Sequence, residues 1–271
     1  MKNSKTTKLF NNALISFILS AMFFLGTGSR IFAQDIKNIE GIVSGFVLSG
    51  EQTLQPYADA VSADMNSGLF HTAKVNNGFN MYIGIKGTGT YINGDNSAVI
   101  DANKTLSIMP MAVPQLNIGS VWGTELTVRY LPQITIGGYG SVGTWGIGVK
   151  HGITSHFKNS PVDAAVQFSY QSMKVNDSKD RDMVSASSFS TGLEFSKELS
   201  VFTFYTGVQY ENTTIDANVN YNGVETKMSF ANQNKFRGVF GLNIKLGPVN
   251  LNGDYSVGKT NSISAGFGFA F

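Results

Sequence analysis

The last 37 residues of the chain alternate between apolar side chains and polar or glycine side chains. The alternation runs through residues 235–246, 249–257 and 263–271, with turns at residues 247–248 and 259–261. A period of two over about ten residues is typical of a tilted β-strand with one face in lipid and the other in a polar lumen. A strand of a soluble sandwich shows the same pattern, so the rest of the chain has to decide between the two.

The beginning of the chain has the pattern of an export signal. Lys2, Lys5 and Lys8 precede an apolar stretch at residues 9–28, and we expect cleavage after about Ala33. An uncleaved membrane anchor is the alternative. The sequence contains no cysteine for a lipid anchor or a disulfide, and no second apolar run is long enough for a transmembrane helix. An exported chain of alternating strands indicates the Gram-negative outer membrane, where spanning sheets have to be closed barrels.

Charge and composition agree with this location. Charged residues make up only 14% of the chain, against roughly 25% in soluble domains. Loss of Lys2, Lys5, Lys8 and Arg30 with the signal leaves sixteen basic and eighteen acidic groups. A net charge of −2 does not favour nucleic acid as a partner.

Aromatic residues near the strand ends suggest interfacial girdles. The residues assigned to these girdles are Tyr82, Tyr91, Trp122, Tyr130, Trp145, Tyr170, Tyr205, Tyr210 and Tyr255.

Residues 34–76 have helical rather than strand periodicity. Apolar residues recur at helical spacing in residues 35–49 and again in residues 53–66. We expect these helices to plug the barrel lumen or to form a periplasmic cap. A position on the membrane surface is disfavoured because the polar faces are not notably basic.

Residues 77–271 are predicted to form an all-β, antiparallel transmembrane barrel of about ten strands. Besides the three closing strands, we expect strands at about 78–92, 111–120, 124–136, 141–153, 162–173, 184–196 and 201–212. Residues 93–110, 174–183 and 213–234 are the expected long external loops. Twelve strands result if residues 213–234 add a hairpin, and eight if the weak early strands lie outside the wall.

Several stretches resemble known exported barrels. The C-terminal Phe267, Phe269 and Phe271 resemble the signal by which the barrel assembly machinery recognises outer-membrane barrels. Residues 66–74, 129–132 and 145–151 resemble an uncharacterised family of exported Gram-negative barrel proteins, a likeness that covers nearly all of the mature chain. A more distant likeness is to the long-chain fatty-acid transporter class, in which a hatch also precedes the barrel. This resemblance implies a small or hydrophobic solute.

Charged residues fall on the inward parity of the predicted strands. They are mixed in sign, so they could pair with one another and fill the interior, or line a narrow pore. The lumen-lining candidates are Glu125, Arg129, Lys150, Asp163, Glu194, Glu211, Arg237, Lys245 and Asp254.

The three histidines do not suggest catalysis. His71 is expected in the periplasmic connection before the first strand, and His151 and His156 flank a periplasmic turn. The latter two are five residues apart at a strand end and are expected to face opposite sides, so they do not suggest a metal site. We therefore expect no enzyme activity, no cofactor and no metal.

The sequence as a whole predicts a monomeric outer-membrane barrel. Its expected function is the passage or binding of a small or hydrophobic solute, and its expected partners are this solute, membrane lipid and the assembly machinery. The alternative is a structural barrel without a pore whose external loops bind other molecules.

Overall fold

The computed structural model describes residues 51–75, 78–92, 99–101, 104–105, 108–119, 122–135, 140–157, 160–177, 179–221 and 224–271. One helix, α1 (Glu51–Asn66), precedes the strands. The strands are β1 (Asn80–Tyr91), β2 (Val99–Asp101), β3 (Lys104–Thr105), β4 (Ile108–Gly119), β5 (Thr124–Thr135), β6 (Ser141–Gly152), β7 (Asp163–Asn176), β8 (Asp182–Leu199), β9 (Phe202–Tyr221), β10 (Val224–Ala231), β11 (Phe236–Leu246), β12 (Val249–Val257) and β13 (Ser262–Ala270).

Ten of these strands form a closed antiparallel barrel. The order around the wall is β1-β4-β5-β6-β7-β8-β9-β11-β12-β13, and β13 pairs with β1 to close it. The register at the closing seam runs from Tyr82 opposite Ala270 to Thr90 opposite Ser262. Because each strand pairs on both sides, the wall has no open edge. The expected fold class and strand number are confirmed.

The outer face of the wall is apolar and the inner face is polar. Exposed apolar side chains on the strands include Leu126, Ile147, Val149, Phe168, Phe189, Leu193, Phe195, Phe204, Val208, Phe240 and Ile263. The alternate positions carry buried polar side chains such as Thr127, Gln167, Ser190 and Asn243. This alternation is the arrangement of a barrel that spans a lipid bilayer. No described helix is long and apolar enough to cross a membrane.

The two ends of the barrel differ. At the end that we call the turn end lie the connections β4–β5, β6–β7, β8–β9 and β11–β12, together with the start of β1 and the end of β13. At the opposite end, the loop end, β8 and β9 are 18 and 20 residues long, whereas β12 and β13 have nine residues each. The strand β10 pairs only with the loop-end half of β9 and lies outside the ten-strand wall.

The expected long loop at residues 213–234 is therefore strand for most of its length, and half of residues 174–183 is strand as well. Residues 174–176 and 182–183 belong to β7 and β8, and residues 213–231 lie almost wholly in the β9–β10 hairpin. The side chains of these residues also alternate between the two faces of the sheet, and strand pairing satisfies the hydrogen bonds of their backbone N–H and C=O groups. Pro132 lies within a register shift between Leu131 and Ile134 in the pairing of β5 with β6.

Residues 51–75, which we call the inner segment, lie inside the barrel. The N-terminal half of α1 contacts the loop-end residues Gln233 and Asn234, and Lys74 contacts Glu198 near the turn end. Ten strands about 4.8 Å apart and tilted by about 40° enclose a wall roughly 20 Å across. Once inward side chains are counted, the remaining width is about that of one helix. The expected signal, its cleavage site and the first expected helix lie outside the described residues.

Candidate functional site

The wall of the barrel caps the C-terminus of α1. The last turn of this helix contains no basic residue to offset its carbonyl groups. Instead, Arg129 on β5 donates from Nη1 to the carbonyl of Met65 at 3.2 Å, and Gln171 donates to the same carbonyl. Gln209 donates to the carbonyl of Asn66 at 3.2 Å. Wall side chains therefore supply the hydrogen bonds that the end of this helix needs.

A second arginine joins the helix to the opposite wall. Arg237 on β11 donates from Nη2 to Glu211 Oε1 at 2.7 Å, and both side chains are fully buried. From Nη1 it donates to Ser67 Oγ at 2.7 Å and to the carbonyl of Ala63 at 3.2 Å. Removal of Arg237 would therefore unpair a buried carboxylate and also release the end of α1.

A charged cluster lies between the inner segment and the turn end. Lys150 Nζ is 2.9 Å from Glu125 Oε1 and donates to the carbonyl of Thr72 at 2.9 Å. Glu194 accepts a hydrogen bond from the backbone N–H of His71 at 3.0 Å. These contacts place Glu194 and Lys150 directly against the backbone of residues 71–72, and Glu125 pairs with Lys150 beside them.

Three buried charged residues of this interior escaped the sequence analysis, namely Asp59 and Asp64 of α1 and Lys86 of β1. Lys86 is buried on β1 and donates to Asn252. Asp64 of α1 is buried as well and accepts from Thr90 Oγ1 at 2.6 Å. The inward parity of β1 could have revealed Lys86, because it alternates with the outward Ile83 and Ile85. Asp64 gives no such signal, because its role depends on where the helix docks.

Two tyrosines assigned to the aromatic girdles lie in the interior instead. Tyr82 and Tyr205 are 6% and 3% exposed, respectively. Each ring fills space that inward glycines leave free: a Cβ on Gly84 or Gly268 would overlap Tyr82, and one on Gly241 would overlap Tyr205. The girdle interpretation is wrong for these two residues because it ignored strand parity.

Phe70 of the inner segment sits in a similar glycine cradle. A Cβ on Gly192 or Gly207 would lie 2.6 Å from its ring. Phe70 also belongs to a small apolar cluster with Leu69, Tyr205 and Val239. The glycines of β8 and β9 therefore create the space that admits this ring.

The loop-end half of the interior is apolar on one side. Ala58 and Met65 of α1 form a buried cluster with Ala186 on β8 and Ile215 on β9. The partly buried side chains packed against it are Val61, Met111, Met173, Val184 and Phe230. One face of α1 is therefore seated on apolar wall, while its C-terminus meets polar wall.

Buried polar atoms without hydrogen-bond partners among the described residues occur on several strands, and β11 and β12, which follow β9 in the wall, carry a run of them. On β11 these are both polar side-chain atoms of Asn243, which is fully buried, and Nε of Arg237. On β12 they are Oδ1 of Asn250, Oδ1 of Asp254 and Oγ of Ser256. An unpaired buried polar group costs roughly 1–3 kcal/mol, so water or a polar solute is the expected partner. We call these five residues the polar column.

The structure buries most of the lumen-lining candidates. Seven are 6% exposed or less, namely Glu125, Arg129, Lys150, Glu194, Glu211, Arg237 and Asp254. Asp163 and Lys245 lie near the turn end and are partly exposed. Six of the seven buried residues contact the inner segment through a polar group or form an ion pair with a residue that does. Asp254 instead accepts from Tyr205 Oη at 3.1 Å, and the Tyr205 ring packs against Leu69 and Phe70.

Two expectations about the histidines are wrong, although His151 and His156 do flank the β6–β7 connection as expected. His71 is buried inside the barrel, stacked on Tyr82 with ring centroids 6.0 Å apart. His151 and His156 do not face opposite sides, because β6 ends at Gly152 and the 3₁₀ turn Thr154–His156 folds back, leaving their Nε2 atoms 3.1 Å apart. The described residues contain no group of three or more His, Asp or Glu side chains arranged to hold a metal ion.

The family model that matches the sequence covers residues 11–105 and 98–271, and it is described as a family of unknown function, DUF6588. The chain belongs to this family. The membership agrees with the resemblance to an uncharacterised family and assigns no activity. None of the curated proteins matches the chain.

Solved structures of outer-membrane barrels show a distant likeness in fold. Ail of Yersinia pestis, solved with the heparin analogue sucrose octasulfate, is 12% identical over 72% of this chain and 99% of its own, with a TM-score of 0.30. OprG of Pseudomonas aeruginosa is 10% identical over 74% and 99%, with a TM-score of 0.38. The translocator domain of the autotransporter NalP from Neisseria meningitidis is 11% identical over 81% and 98%, with a TM-score of 0.37.

These comparisons do not show the likeness to long-chain fatty-acid transporters that the sequence suggested. The closed wall, its apolar outer face and its polar interior make the chain an outer-membrane β-barrel protein.

Proposed function

We propose that the barrel passes a small solute along its lumen and that the inner segment restricts this route. The observation that carries the proposal is the polar column on β11 and β12. In a barrel whose interior served only to stabilise the fold, these groups would be paired or replaced by apolar side chains, because unpaired buried polar groups are destabilising.

The position of the polar column supports a route beside the inner segment. Asn250 and Asn243 lie towards the turn end, while Ser256 and Arg237 lie towards the loop end of the same two strands. The column therefore extends over most of the paired length of β11 and β12. The apolar face of α1 packs against β8 and β9 instead, so the lumen is apolar at those strands and polar at β11 and β12, which come next in the wall.

The chemistry of the column favours a small polar solute over the hydrophobic one that the sequence suggested. Amide, hydroxyl and guanidinium groups can exchange hydrogen bonds with a passing polar molecule as they do with water. The apolar cluster offers a solute fewer contacts, because α1 already packs against it.

A substitution within the column tests this function. We expect Asn243→Phe to reduce the conductance of the refolded full chain in a planar bilayer, because the ring would fill the side of the lumen that carries the column. Leu242→Phe is the matched control, since Leu242 is the neighbouring residue and belongs to the outer face of β11. Equal conductance of the two variants, or no conductance of the native chain, would contradict the proposal.

The second candidate function is a closed barrel whose loop end binds other molecules. It is favoured by the extension of β8, β9 and β10 beyond the rest of the wall. Absence of conductance in the native chain, in both chloride and organic-anion buffers, would favour this candidate.

A further inference from the structure

The pair His151–His156 at the turn end has the geometry of two ligands of one metal ion. His151 lies at the end of β6, and His156 ends the following 3₁₀ turn. Their Nε2 atoms are 3.1 Å apart, and the ring planes are inclined by 32°. His156 is exposed and His151 is half-buried, so an ion can reach the pair from solvent.

A hydrogen bond supports the other side of the His151 ring. Nδ1 of His151 is 3.1 Å from Thr124 Oγ1, and the Thr124 hydroxyl lies 3.5 Å from the carbonyl of Trp122. When the hydroxyl donates to this carbonyl, it accepts from Nδ1–H of His151, and in that tautomer Nε2 carries the lone pair that can bind a metal. Such support of the distal nitrogen is usual for metal-binding histidines.

The distance between the two nitrogens fits metal coordination. Zinc binds imidazole nitrogen at about 2.0–2.1 Å. Two ligands at about that distance, separated by an angle of about 90–110°, have their nitrogens about 2.9–3.4 Å apart. The observed spacing lies in this range, so neither ring has to move far.

We propose that His151 and His156 form a two-histidine site for a late divalent transition metal, such as Zn²⁺ or Cu²⁺. Imidazole suits these ions, and water completes their coordination. His156 now shares an Nε2 proton with His151; on binding, that proton moves to Nδ1 of His156 or to solvent, and Nε2 becomes a ligand. The bound ion would fix the β6–β7 turn to the end of β6.

The test is a titration of the full chain, without a polyhistidine tag, in detergent micelles. We expect one Zn²⁺ per chain by calorimetry, with affinity lower by on the order of 100-fold in His151→Ala and in His156→Ala, because each change leaves a single ligand. Thr124→Val should lower the affinity by roughly 10–100-fold, whereas Thr124→Ser, which keeps the hydroxyl, should not.

A second measurement keeps the proposal testable if a variant folds poorly. The electron paramagnetic resonance spectrum of the native chain with one equivalent of Cu²⁺ should show coupling to two imidazole nitrogens. Undiminished Zn²⁺ binding in a chain that carries both His151→Ala and His156→Ala would overturn the proposal. A single nitrogen in the Cu²⁺ spectrum of the native chain would overturn it as well.

Discussion

Arg237 and Glu211 form an ion pair 2.7 Å long that is completely shielded from solvent in the middle of the barrel. The pair joins neighbouring strands, since β11 pairs with β9, and the other guanidinium nitrogen reaches the inner segment. Wall stability and docking of the segment therefore depend on the same side chain.

Loss of one partner of this pair is predicted to destabilise the barrel strongly. Arg237→Met leaves Glu211 buried without its counter-charge, so we expect the free energy of unfolding to fall by about 3–5 kcal/mol. Reversible urea unfolding in lipid vesicles measures this free energy of unfolding. The double change Glu211→Leu with Arg237→Met removes both charges and should cost less than Arg237→Met alone. A larger cost for the double change would argue against an electrostatic origin.

A cross-link between the inner segment and the wall is predicted to close the conducting route. Ser62 on α1 and Thr213 on β9 have hydroxyl oxygens 2.7 Å apart, and the chain has no native cysteine. In Ser62→Cys with Thr213→Cys, we expect oxidation to lower the bilayer conductance and a reductant to restore it, provided that passage requires the segment to shift.

The matched control for this cross-link joins two wall strands without touching the segment. Ser169 on β7 and Ser190 on β8 are directly opposite, with hydroxyl oxygens 2.6 Å apart. Ser169→Cys with Ser190→Cys should conduct equally in both redox states. If oxidation leaves the conductance of both pairs unchanged, the segment does not control the route.

A methyl group in the Phe70 cradle is predicted to dislodge the inner segment. In Gly192→Ala the new Cβ would meet the ring at 2.6 Å, and overpacking of this kind costs about 1–3 kcal/mol. We expect faster trypsin cleavage after Lys74. Gly87→Ala serves as the control, because its nearest neighbour would be 3.9 Å away. Equal cleavage rates for the two variants would mean that Phe70 does not hold the segment.

The loop between β7 and β8 is predicted to loosen in acid. Burial alone would raise the pKa of Asp177, but N–H groups of Arg181 and Lys179 and the Arg181 guanidinium together lower it. The stabilisation is therefore complete above the unfolded-state pKa of about 3.9 and is lost as the pH falls through the lower folded value. Pepsin should therefore cleave this loop faster as the pH falls from the unfolded-state pKa to the lower folded-state pKa.

Two substitutions separate the role of Asp177 from that of its loop neighbour. At neutral pH, Asp177→Asn should already speed trypsin cleavage after Arg181, because the carboxylate accepts from this residue through both oxygens. Asp180→Asn should change it little, since Asp180 accepts only the exposed Asn176 amide at 2.8 Å. Faster cleavage in Asp180→Asn than in Asp177→Asn would contradict this assignment.

The period-two alternation was sufficient to predict the wall, because strand parity is imposed by lipid on one side and the lumen on the other. The girdle interpretation failed for Tyr82 and Tyr205 because it did not apply this alternation, which places both side chains inward, where glycines leave room for their rings. The alternation also missed the strands within residues 213–234, because the polarity of this hairpin resembles that of a loop.

The interior was less predictable, because docking of the inner segment is a tertiary event. The sequence identifies Arg129 and Arg237 as inward charges, but nothing local indicates that they cap α1 at Met65 and Ala63. The sequence did not predict the contact between His151 and His156 for a similar reason. Strand periodicity holds only to Gly152, and beyond it a 3₁₀ turn sets the direction of the chain.

The inner segment is covalently continuous with β1, which begins at Asn80 at the turn end of the barrel. Thermodynamically it is a tethered competitor, present at an effective concentration on the order of millimolar for every site it touches. A solute that needs those sites has to outcompete a ligand that dilution cannot remove. Weak, transient entry is therefore favoured over tight retention, and washing the membrane will not convert the barrel into an open one.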